Sequence, residues 1–108
     1  MSFRVRGLAT SPIAVGFRLA GVATDEVATV DAAARRLEEL AGQPDVGVIL
    51  MEQALFDDIP NLLRRRLSRR ALPVIVPVPR ATREAGTSGE DYILELLRRA
   101  IGYRVRLQ

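Results

Sequence analysis

The chain has 108 residues, 48% of them apolar, and a formal net charge of +3; its mean hydropathy is +0.09. That describes one globular domain with enough length for a real core, and no apolar run approaches the ~20 residues of a membrane span. Cysteine and histidine are both absent, which removes disulfides, thiolate nucleophiles, imidazole bases and the usual zinc sites together.

All 16 basic residues are arginine, so the cationic groups stay charged at any accessible pH. A bias this complete reflects genome composition better than design. The net charge falls short of a strongly basic nucleic-acid binder. The N-terminus lacks the long apolar stretch of a signal peptide, so a cytoplasmic protein is expected.

Residues 3–8 alternate Phe3, Val5 and then Leu8 with Arg4 and Arg6, which suits a first strand. Ser11 and Pro12 follow as N-cap and first helical residue. That helix runs to Leu19 or Ala20 and closes at Gly21. Residues 22–24, reaching towards Val27, form a short second strand. Thr29 or Asp31 starts the next helix, with Val30, Ala34, Leu37, Leu40 and Ala41 on one face and Arg35, Arg36, Glu38 and Glu39 outside. Gly42 and Pro44 end it.

Residues 46–51 are apolar without a polar break. A strand with one wet face would alternate, so this run predicts a strand covered on both faces, as in a parallel sheet between helix layers. Residues 52–58 read as a connector. Pro60 opens a helix with Ile59, Leu63 and Leu67 inward, Asp57 and Asp58 at its positive end, and Arg69 and Arg70 at its negative end. Residues 72–79 make the fourth strand, whose prolines place it at a sheet edge because they cannot donate to a ladder.

Residues 80–89 read as a polar loop. Ser88, with Asp91, caps a last helix whose stripe is Ile93, Leu97 and Ile101, joined by Leu94 and Leu96, and which ends at Gly102. Residues 103–107 alternate Tyr103, Val105 and Leu107 with Arg104 and Arg106, an extended tail. The predicted fold is α/β: a four-stranded parallel doubly wound sheet of flavodoxin or receiver type, order 2-1-3-4, flanked by helices, with a C-terminal helix and tail. A single domain spans 1–108, with 1–79 as sheet core and 80–108 as loop, last helix and partner-binding tail.

Such sheets bind ligands at the carboxyl ends of their strands. Gly7, Gly16 and Gly21 are too far apart for a dinucleotide turn, and the chain has no lysine for a P-loop. A phospho-accepting receiver needs acidic residues after strand one and an aspartate after strand three. Thr10, Ser11, Met51 and Glu52 stand there instead. Glu52 with Asp57 or Asp58 can be drawn as a carboxylate pair, but Glu52 reads as a helix-start or loop carboxylate and the aspartates as helix-dipole partners. No catalytic residue, cofactor or metal ligand is assigned.

The arginine cluster 64–70 reads first as a solvated helix face with Leu67 inward. An acidic protein surface is its second reading and nucleic acid its third, since no aromatic residue interleaves for base stacking. Loop 85–89 reads as a linker rather than a phosphate cradle. The chain's end is what suggests a partner. Terminal segments fray unless tied down, so 103–107 either packs on its own domain or docks on another protein, and the stripe of the last helix is wide.

Four segments in order resemble the F subunit of the V-type (archaeal-type) rotary ATPases. They are Gly16-Phe17-Arg18-Leu19-Ala20-Gly21; Val48-Ile49-Leu50-Met51-Glu52 followed by Ala54; Leu72-Pro73-Val74-Ile75-Val76-Pro77-Val78-Pro79; and Glu95-Leu96-Leu97-Arg98-Arg99-Ala100-Ile101-Gly102-Tyr103. Thr10 departs from the family, which often carries an acidic residue after strand one. The resemblance implies a non-catalytic central-stalk component of a proton- or sodium-translocating complex. It would pair with the D subunit, whose coiled coil turns inside the A/B catalytic ring, and through that partner connect to the membrane rotor.

Such a protein would be cytoplasmic and peripheral, with no nucleic-acid partner and no membrane insertion of its own. Its contact with the D subunit would fall on Ile93, Leu97, Arg98, Ile101, Tyr103, Arg104, Val105 and Arg106, over an area on the order of 1,200 Å² or more. The alternative is an orphan receiver-like signalling domain without its phosphorylation site. A small enzyme using Glu52 or the Thr10-Ser11 loop ranks last.

Overall fold

A computed structural model describes residues 2–79. The loop, last helix and tail expected over 80–108 lie outside the described residues, and so do the eight partner-contact residues named above. The chain runs β1 (Arg4–Ala9), α1 (Ser11–Leu19), β2 (Ala23–Glu26), α2 (Val30–Ala41), β3 (Val46–Glu52), α3 (Gln53–Asp58), α4 (Asn61–Ser68) and β4 (Val74–Val78). Every strand pairing is parallel and the sheet order is β2-β1-β3-β4. That is the topology expected from the sequence.

β3 is the centre of the sheet, and all of Val46, Gly47, Val48, Ile49, Leu50 and Met51 are buried. Val46, Ile49 and Met51 pack with α2, α3 and α4, while Val48 and Leu50 pack on the side of α1. At about 1.5–3 kcal/mol per fully buried aliphatic side chain, no other described strand contributes as much. Val46 and Ile49 share a face although strict alternation would separate them. The register slips between them: Arg4 pairs with Val46, but Val5 pairs with Val48. The extra residue is Gly47, where a Cβ would sit 2.5 Å from the Cβ of Phe3, so the bulge takes the one residue type without that atom.

Three local expectations are corrected. Thr10, not Ser11, occupies the cap position of α1, and Ser11 and Pro12 are its first two residues. Residues 53–58 form a short helix rather than a connector, because Leu55 inserts into the core and Phe56 packs against it. Asp57 and Asp58 therefore close α3, and the first turn of α4 holds no acidic residue. The helix signals at Gly21 and Thr29 hold. Gly21 follows α1 with a φ of 87°, a conformation that glycine adopts without steric cost. Thr29 caps α2, its Oγ1 accepting from the Ala32 N–H at 3.1 Å.

β4 pairs with β3 alone among the described strands, at the edge its prolines require. Pro73, Pro77 and Pro79 sit at alternate positions of one parity, so their missing N–H groups fall on the same side of the strand. The ladder to β3 uses the other side, and the outer edge has few donors for a further strand.

α2 is fastened to the sheet by charge as well as by packing. Asp25 on β2 accepts from Arg6 of β1 at 3.1 Å and from Arg36 of α2 at 2.9 Å. Arg36 was expected on the outer face of α2; it reaches back to Asp25 and also holds Glu39 at 2.6 Å. Partial burial pushes the Asp25 carboxyl up, but the hydrogen bonds and charges of Arg36 and Arg6 outweigh it and hold the group below its ordinary value of 3.8. A carboxylate lowered in the folded state adds stability above its ordinary pKa, and that stability is lost as pH falls through the folded value. Asp25→Asn should cost about 1–2 kcal/mol near neutral pH. In urea denaturation the gap to the wild type should close as pH falls below 3.8.

Candidate functional site

The carboxyl ends of β1 and β3 lie side by side at the centre of the sheet. This is the switch point at which a doubly wound fold opens for a ligand. Here Glu52, the last residue of β3, reaches across to Thr10. Its Oε1 accepts from the Thr10 backbone N–H at 2.9 Å and from the Thr10 hydroxyl at 2.6 Å. A helix N-terminus in this position ordinarily receives an anion. In this chain its own carboxylate stands there.

The contact also explains the bare cap of α1. The Thr10 hydroxyl donates to Glu52 and makes no capping bond. Helix α1 begins instead on the Thr10 carbonyl, which accepts from the Ala14 N–H at 2.9 Å. Beside it, a shallow groove is lined by Asp25, Glu26, Val27, Ala32, Arg35, Arg36 and Glu39. Its carboxylates already face guanidinium groups: Asp25 and Glu39 meet Arg36, and Glu26 meets Arg18 at 3.5 Å. Among the described residues, no group of three or more carboxylates is placed to hold a metal ion.

Of the sequence candidates, Glu52 bonds to Thr10 rather than forming a carboxylate pair with Asp57 or Asp58. Sequence reading missed this bond, though both ends of it were in sight as the residues following adjacent strands in the order 2-1-3-4. The arginine cluster divides. Arg64 lies 5.1 Å from the centre of the Phe56 ring and donates to the carbonyls of Asp57 and Ile59 at 3.0 and 3.3 Å. Arg70 donates to the Ala41 carbonyl at 3.2 Å. Arg65, Arg66 and Arg69 point outward with Leu62 around one shallow surface, while Leu67 is buried.

Residues 8–97 match the family described as the ATP synthase (F/14-kDa) subunit. The chain belongs to this family. It is 33% identical over 89 residues to the F subunit of the A-type ATP synthase of Archaeoglobus fulgidus, covering 82% of each chain. It is 31% identical over 102 residues to the F subunit of the V-type ATP synthase of Thermus thermophilus, covering 93% of this chain and 97% of the relative. The crystal structure of the V-type ATP synthase F subunit from Archaeoglobus fulgidus superposes with a TM-score of 0.65 at 28% identity, covering 72% of this chain and 99% of that one. Membership in this ATP synthase family displaces the orphan signalling domain as a reading. No helix among the described residues is long and apolar enough to cross a membrane.

In this member of the family, Glu52→Ala should destabilise by about 1–3 kcal/mol, since it strands two donors on Thr10. Thr10→Val placed on top of it should add much less than Thr10→Val alone, as coupled partners do. Urea denaturation of the two single variants and the double variant measures that coupling.

Proposed function

We propose that the chain is a non-catalytic central-stalk component of a proton- or sodium-translocating rotary ATPase. In this role it pairs with the D subunit, and through that partner it is coupled to the A/B ring and the membrane rotor. It transmits torque and tunes the rate of ATP hydrolysis. Beyond family membership, the observation that carries this reading is the bond from Thr10 to Glu52. A sheet of ligand-binding type whose binding point is taken by its own carboxylate suits a part that bears load rather than one that turns over a substrate.

A load-bearing part must resist shear, and a close-packed interior has low compressibility. β3, buried on both faces between helices, supplies that stiffness. The contact with the D subunit is assigned to the sequence's own candidates, Ile93, Leu97, Arg98, Ile101, Tyr103, Arg104, Val105 and Arg106. Their aromatic and aliphatic side chains serve as anchors and their arginines as a polar rim. The protein would work on the cytoplasmic side as a peripheral component.

A variant truncated after Gly102, compared with the full chain for binding to the purified D subunit by calorimetry, tests the assignment. Loss of the anchors Tyr103 and Val105 should weaken binding by about tenfold or more. Unchanged affinity would move the interface away from the tail.

A further inference from the structure

We infer that the cavity between α3, α4 and the start of β4 is a binding site for a small oxyanion, either inorganic phosphate or the terminal phosphate of a nucleotide. The cavity measures about 120 Å³. A water's share of liquid volume is about 30 Å³, so there is room for one tetrahedral anion and not for a whole nucleotide. Phe56, Leu67, Val74 and Ile75 give it apolar walls, and Arg64, Ser68 and Arg70 supply its polar lining. No carboxylate of the described residues lines it.

The charge there is unmatched. Arg4, Arg6, Arg18, Arg36 and Arg66 each meet a carboxylate, whereas Arg64 and Arg70 pair with none of the described residues. Two cations beside apolar walls attract an anion more strongly than the same charges in open water. Arg64 is also held in place. Its guanidinium lies 5.1 Å from the centre of the Phe56 ring, and its Nη2 donates to the carbonyls of Asp57 and Ile59. Its Nε is buried and has no hydrogen-bond partner among the described residues. A buried donor without an acceptor is costly, and an anion in the cavity supplies one.

Bonds to carbonyls occupy one nitrogen of each arginine: Nη2 of Arg64, and Nη1 of Arg70 on the Ala41 carbonyl at 3.2 Å. A guanidinium has five N–H donors, so both keep donors for an anion. The negative end of a helix repels anions, but the last turn of α4 is partly answered. The Ser68 hydroxyl donates to the Arg65 carbonyl at 2.8 Å and the Arg70 N–H to the Leu67 carbonyl at 3.2 Å. The site is separate from the switch point, where Glu52 and Thr10 close the carboxyl ends of β1 and β3. It stands instead by the amino end of β4.

The test titrates the full chain with sodium phosphate by calorimetry at an ionic strength of about 0.1 M. The wild type should bind one phosphate with a Kd of about 1 mM or tighter. Arg64→Gln and Arg70→Gln should each weaken binding by about tenfold or more, while Arg35→Gln on α2, the control, should leave it unchanged. Arg70 is exposed, so its variant keeps the fold, checked by circular dichroism, even where loss of Arg64 does not. ADP bound as tightly, with the same losses, identifies a nucleotide's terminal phosphate as the ligand; phosphate bound and ADP excluded identifies the free ion. Absence of saturable binding would overturn the site, and so would binding that survives Arg70→Gln or falls equally in the control. No partner subunit enters the measurement, so its outcome is independent of the rotor assignment.

Discussion

A strand with no wet face must have helices on both sides, and β3 imposes that requirement on the whole chain. Burial of its side chains on two clusters, one with α2, α3 and α4 and one with α1, forces the neighbouring connections to be crossovers. Crossovers make the strands parallel, and their right-handedness leaves few orders for the sheet. β1 and β4 then flank β3 directly. The prolines of β4 are tolerated because that strand has no described neighbour on its far side.

The same strand decides what the sheet can do. β3 ends by delivering Glu52 to the switch point, where it meets Thr10. A fold that elsewhere opens a crevice there is bridged at this point by an internal hydrogen-bonded pair. The charged side chains follow a similar rule: Asp25 is consumed by Arg6 and Arg36 in tying β1, β2 and α2 together. Polar chemistry inside the sheet is spent on cohesion, and the outside of α4 concentrates charge that the described chain leaves unmatched.

The fold was legible because its main signal is local and strong. An unbroken apolar run of β-branched and aliphatic residues, glycine and proline punctuation, and helical spacing of Leu37 with Leu40 all act within a few residues of each other. Boundaries were less legible where a tertiary contact overrode a local preference. Ser11 looked like the better cap, but the hydroxyl that stands at the cap position belongs to Thr10 and is drawn to Glu52. Residues 53–58 are too short to show a helical period, and their core contacts, Leu55 and Phe56, are made with other elements. Arg36 looked like a surface charge because its partner is on another element. The family resemblance lies in segments that follow in order along the chain, and it does not depend on any one element boundary.

We propose a stalk component held by a coiled-coil partner. Co-expression with the D subunit of the same genome, followed by size-exclusion chromatography with mass determination, tests it most directly. A stable one-to-one complex is the predicted result. Two separate peaks at micromolar concentration, each protein folded, would contradict it.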